Sequence, residues 1–180
     1  MSTLIKSWWI LALRGAISVL FGLVMVAWPS VPLSTLVQLF GLYALADGVA
    51  CAAFGVAAQE NRATFFVAGG LVGVAAGLLA LINPGFDSVS FYVLIGAWAV
   101  TTGVAELTTA SRLLELMPSV HGLVAGGALS LAFGALCIMV RAASVGVLAA
   151  SIAVYAVLAG AACIAAATRI HRALPPTAAV

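Results

Sequence analysis

Six stretches of the chain are continuously apolar, at about 8–28, 33–56, 64–82, 89–110, 119–140 and 144–168. A helix needs about 20 such residues to cross a hydrocarbon layer of about 30 Å, so the pattern predicts six membrane-spanning helices. Between them lie proline-bearing turns at Trp28-Pro29-Ser30-Val31-Pro32 and Asn83-Pro84-Gly85, and polar breaks at Gln59-Glu60-Asn61-Arg62 and from Arg112 to Pro118. A closed barrel is the other structure lipid permits, but its strands alternate in segments of about ten residues, and these runs are unbroken and twice that length.

Glycines mark a threefold internal repeat across these spans. Gly15, Gly22 and Pro29 superimpose on Gly70, Gly77 and Pro84, then on Gly127, Gly134 and Arg141. The register continues with Gly41, Tyr43 and Gly48 on Gly96, Trp98 and Gly103, then on Ala153, Tyr155 and Gly160, at offsets of 55 and then 57 residues. Each unit is a helical hairpin, and an even number of spans sends all three into the membrane in the same direction. The expected fold is therefore all-α: a polytopic bundle of six transmembrane helices, built as three parallel hairpin repeats with pseudo-threefold symmetry. It forms one domain over residues 1–172, with repeats at about 8–56, 64–110 and 119–168, and a flexible tail at 173–180, where Pro175-Pro176 cannot continue a helix. The third unit departs from the pattern, with Arg141 for the turn proline and Ala153 for glycine.

Within the first helix of each unit, small residues recur at 0, 3 and 7: Gly15, Ser18, Gly22; Gly70, Gly73, Gly77; and Gly127, Ser130, Gly134. That spacing makes one smooth stripe, along which a neighbouring helix gains dispersion contacts. Gly41 with Gly48, and Gly96 with Gly103, offer a matching face on the second helices.

Composition sharpens the class: 65% of the 180 residues are hydrophobic and 7% are charged, against about 25% in soluble domains, which excludes a water-soluble fold. A net charge of +2, scattered along the chain, excludes a nucleic-acid surface. Cys51, Cys137 and Cys163 lie in apolar stretches without CxxC spacing and read as core residues, and no cofactor or metal site is expected. No serine, cysteine or histidine is set beside a base and an orienting partner, so no enzymatic activity is expected. Lys6, Arg62, Arg112, Arg169 and Arg172 fall on one side and only Arg141 on the other, which places both termini in the cytoplasm. Arg14 interrupts the first apolar run, which reads as a retained helix and not a cleaved signal. Trp8, Trp9 and Trp28 stand where an interfacial belt or simple packing would hold them. His121 at the start of the fifth span and His171 in the tail read as solvated interfacial groups, and Asp87 and Arg141 as loop charges.

Three ionisable residues fall inside the spans: Arg14, Asp47 and Glu106. Each costs roughly 2.5–3.5 kcal/mol on insertion and is a functional candidate by default. In the repeat, Asp47 is level with Thr102 and Ala159, and Glu106 with Cys51 and Cys163. At ~1.5 Å per residue, Arg14 and Asp47 lie at similar depth and can pair. If Glu106 joins them, two carboxylates beside one cation disfavour simultaneous ionisation, and the layer can bind a proton. The plainer reading is a static Arg14–Asp47 pair with Glu106 reaching the cytoplasmic surface.

Arg14-Gly15 followed by Gly22 and Pro29, Phe40-Gly41-Leu42-Tyr43 with Asp47-Gly48, Ile95-Gly96-Ala97-Trp98 with Gly103 and Glu106, and Arg112-Leu113 resemble the HdeD family of bacterial acid-resistance membrane proteins. The resemblance spans roughly residues 8–170 and implies a multi-pass protein of the bacterial inner membrane, built from a short repeat, with a part in acid stress. The expected function is a structural or accessory envelope role; the alternative is a small permease or proton-coupled carrier using Arg14, Asp47 and Glu106. Expected partners are membrane lipids and other membrane proteins, further copies of the chain included.

Overall fold

The computed structural model describes residues 8–28, 30–57, 64–114, 121–140 and 144–172. They form six helices: α1 (Trp8–Ala27), α2 (Leu33–Ala57), α3 (Thr64–Ile82), α4 (Ser88–Leu114), α5 (His121–Met139) and α6 (Val145–Arg172). All six are long and apolar enough to cross a membrane. Leucine and valine side chains such as Leu20, Leu42, Leu71, Val104, Leu136 and Val154 are exposed on the flanks, as a lipid-facing surface requires.

Two buried clusters record the direction of the repeats. One gathers Ile10, Phe66 and Leu123 from the starts of α1, α3 and α5 with Phe54, Ala110 and Ile170 from the ends of α2, α4 and α6. The other gathers Met25, Ala80 and Cys137 from the ends of the first helices with Leu36, Phe91 and Leu148 from the starts of the second. All three hairpins therefore point the same way.

The most extensive helix pairings lie between hairpins and not within them: α2 with α3, α4 with α5, and α6 back onto α1. These are the glycine seams. A Cβ on Gly70 would lie 2.6 Å from the Gly48 carbonyl oxygen, and one on Gly15 would lie 2.7 Å from that of Gly160. On Gly134 it would lie 2.8 Å from the Gly96 oxygen. Hydrogen is the only substituent these approaches admit, and the reward is dispersion contact between backbones. At Ala153, where the repeat loses its glycine, the seam is kept by Gly22 alone, whose Cβ would meet the Ala153 oxygen at 2.9 Å.

The second helices begin at equivalent residues, Pro32, Asp87 and Ser144, whose carbonyls accept the amides of Leu36, Phe91 and Leu148 at 2.9, 3.0 and 3.0 Å. The Asp87 carboxylate also accepts the Val89 and Ser90 amides at 3.1 and 3.3 Å, so it is an N-cap rather than a free loop charge. Its acidity is raised by hydrogen bonds to Ser90 first and to the Val89 amide after.

Two boundaries differ from the sequence expectation. Helix α4 continues to Leu114, so Arg112 lies in its last turn and not in a loop. Thr108, Thr109 and Ser111, just before the expected break, donate their hydroxyls to carbonyls three or four residues back, which leaves the helix intact. Helix α6 continues to Arg172, with Arg169, His171 and Arg172 in a last turn whose carbonyl end favours basic groups. His171 is thus helical and packs its ring on Trp8 of α1, centroids 4.4 Å apart. Trp9 and Trp28 are exposed at the two ends of α1, and His121 is exposed at the start of α5. Lys6, Pro29, Arg62, Pro118, Arg141 and the tail at 173–180 lie outside the described residues.

Candidate intramembrane charge site

The site is assembled by three helices of the first two hairpins. Helix α1 presents Arg14 inward, one residue before the seam glycine Gly15, and α2 presents Asp47 one residue before Gly48. Asp47 Oδ1 accepts from Arg14 Nε at 2.6 Å, and Oδ2 accepts from Nη2 at 3.3 Å. This two-point fork fixes both the spacing and the rotation of α1 against α2. Glu106 of α4 brings Oε1 to 2.6 Å from Arg14 Nη1. Glu106 thus meets the guanidinium through one nitrogen, Nη1, whereas Asp47 meets it through two. Arg14, Asp47 and Glu106 are 6%, 2% and 3% exposed, which seals all three inside the bundle, and Glu106 does not reach the surface.

The repeat explains why one arginine can serve the whole centre. Positions equivalent to Arg14 are Gly69 and Gly126, so two of the three first helices leave the middle empty of side chain. Glu106 Oε2 extends towards Gly126, lying 3.3 Å from where a Cβ would stand. Cys51 and Cys163, level with Glu106, are buried in the adjacent apolar cluster.

Directly against the charges sits an aromatic centre that sequence reasoning did not single out. Tyr43, Trp98 and Tyr155, equivalent in the repeat, meet edge to face, with Trp98 5.7 Å from Tyr43 and 6.2 Å from Tyr155. In the first and third units, Tyr43 pairs with Ser18 at 3.1 Å and stacks on Phe21, while Tyr155 pairs with Ser130 at 2.9 Å and stacks on Phe133. The second unit has Trp98 instead, and the equivalent residues shrink to Gly73 and Ala76. A Cβ on Gly73 would already lie 3.4 Å from Trp98 Nε1, so the larger indole is accommodated by the loss of the serine and phenylalanine side chains. The repeat offsets of 55 and 57 residues put Phe21, Ala76 and Phe133 level with one another, alongside the Ser18/Gly73/Ser130 and Tyr43/Trp98/Tyr155 sets already aligned in the sequence.

Among the described residues, grooves open on the flanks within hairpins, where the helices pack less closely than at the seams. One of about 600 Å³ between α5 and α6 includes Phe133, Ala150, Ser151 and Tyr155; one of about 230 Å³ between α3 and α4 includes Gly69, Thr101 and Ala105. Neither is lined by a charged residue. No group of three or more metal-ligating side chains occurs among the described residues.

Comparison with curated proteins and with solved structures gave no match. A family described as a short repeat of unknown function, DUF308, matches at residues 13–79 and again at 68–126. The two matched segments begin 55 residues apart (68 − 13), the offset of the first two glycine frames. The first match runs on through Gly70, Gly73 and Gly77 of α3, and the second ends at Gly126 near the start of α5. Together the matches take in more than half of the chain, which belongs to the DUF308 family of short repeats.

Proposed function

We propose that this polytopic DUF308 protein is a non-enzymatic, structural or accessory component of the bacterial inner membrane, with both termini cytoplasmic and a part in acid-stress tolerance. The observation that supports the first half is the sealing of the charge site. Arg14, Asp47 and Glu106 are engaged with one another between two apolar clusters, and each is at most 6% exposed. A carrier needs a water-filled path to its ionisable groups from at least one side. The distribution of Lys6, Arg62, Arg112, Arg169 and Arg172 supports the orientation. The acid-stress role rests on the resemblance to the HdeD family. Its partners on this reading are lipids and other membrane proteins, held against the exposed apolar flanks.

The test is reconstitution together with deletion. Proteoliposomes containing the protein should show no flux driven by a pH gradient, and a strain lacking it should lose survival under acid challenge. A flux abolished by Asp47→Asn replaces the accessory role with a carrier. Unchanged survival removes the acid-stress assignment.

A further inference from the structure

The charge site contains one cation and two carboxylates, and no further charged side chain joins them among the described residues. Helix α3 carries no charged residue at all, and α5 carries only His121, exposed at its start. The ionisable groups that face Glu106 are Arg14 from α1, Asp47 and Cys51 from α2, and Cys163 and Tyr155 from α6. Of these, Arg14 is the only one that can be positive. With both carboxylates ionised, the site would hold a net negative charge under apolar packing on both sides, an arrangement that close like charges in a low dielectric do not sustain.

The geometry points to a proton-binding site: the Arg14–Asp47–Glu106 cluster holds one proton, carried by Glu106. The choice between the carboxylates follows from their contacts. Asp47 takes two aligned hydrogen bonds from the guanidinium, the arrangement that suits an ionised acid. Glu106 faces one guanidinium nitrogen only, Nη1 at 2.6 Å, against the two that hold Asp47. The repeat carries the same logic. The positions level with Glu106 are Cys51 and Cys163, so the ring around Arg14 consists of two thiols and one carboxyl, three groups that can all be neutral while Asp47 alone balances the arginine.

Infrared spectroscopy reads this directly, through the carbonyl stretch of a protonated carboxyl, in a maltoside detergent that has no ester carbonyl of its own. At neutral pH the unmodified protein should show such a band, and labelling with glutamate bearing carbon-13 at the side-chain carboxyl should shift it. Glu106→Gln should abolish it. Asp47→Asn should abolish it too, because Glu106 is then the sole counter-ion of Arg14 and must ionise. The unmodified and labelled spectra decide the matter even where a variant fails to fold. Absence of the band, a band unmoved by the label, or one that persists in either folded variant overturns the proposal.

Discussion

The seam between α2 and α3 gives the account a quantitative edge at Gly70. A Cβ placed there lies 2.6 Å from the Gly48 carbonyl oxygen and 2.6 Å from the Ala52 amide nitrogen, backbone atoms that cannot rotate aside. Ordinary contact begins near 3.4 Å, so Gly70→Ala must separate the helices by 3.4 − 2.6, or about 0.8 Å. A gap of that order forfeits roughly a quarter to a half of the dispersion well for atoms facing it. Overpacking of this kind costs about 1–3 kcal/mol. Replacing glycine in a helix also returns up to ~1 kcal/mol of helix propensity, which would mask part of the loss. Gly146→Ala supplies the control, because nothing lies within 4 Å of its Cβ while the propensity gain is of the same kind. Reversible unfolding in mixed micelles, followed by tryptophan fluorescence, should place Gly70→Ala about 1–3 kcal/mol below Gly146→Ala. Equal stability of the two variants would refute the claim that the stripe is a seam.

The charge site predicts that Arg14→Gln destabilises by roughly 3–5 kcal/mol and that adding Asp47→Asn recovers part of the loss, read as midpoint shifts in the same assay. Additive losses would count against the pair. Trp98→Tyr should leave a void and cost on the order of 2 kcal/mol or more, and Ala76→Phe added to it should restore stability by rebuilding the stack seen at Tyr43 and Tyr155. Failure of that rescue would mean the three units are not packed on one plan. Asp87 is more acidic when folded, so its capping contribution is complete above the ordinary carboxylate range and fades as pH falls through its own lower value. Comparison of Asp87→Ala with the parent across acidic pH should show a stability difference that closes as pH is lowered.

Much of this architecture is legible in the sequence, because lipid leaves few alternatives to helices and because three glycine frames share one register. Hairpin direction follows from parity alone. What the frames do not say is which helix each stripe meets, since Gly48 could equally face its own hairpin partner or the next. That choice is made by ring closure, a property of the whole chain, seen in the contact of Gly15 with Gly160. Arg14 and Asp47 lie at depths that sequence spacing estimates well, whereas Glu106, four residues nearer the end of its span than the Asp47 level, reads from sequence as able to reach the surface. The structure buries it, because glycine at position 126 leaves room for the end of its side chain, with Oε2 3.3 Å from where a Cβ would stand. The extension of α4 past Ala110 is hidden for a different reason: serine and threonine are polar in composition but satisfy themselves on the helix backbone.

Closure of the ring by α6 on α1 is the claim from which the threefold plan, the glycine seams and the sealed charge site all follow. Trp8 and His171, the first and nearly the last described residues, test it, since their rings lie 4.4 Å apart. Cysteines placed at both positions, treated with a short bismaleimide in a protein carrying a protease site in the Asn83–Asp87 turn, should keep the two fragments covalently joined after cleavage, within a single copy. Fragments that separate, or that join only between copies, would contradict the account.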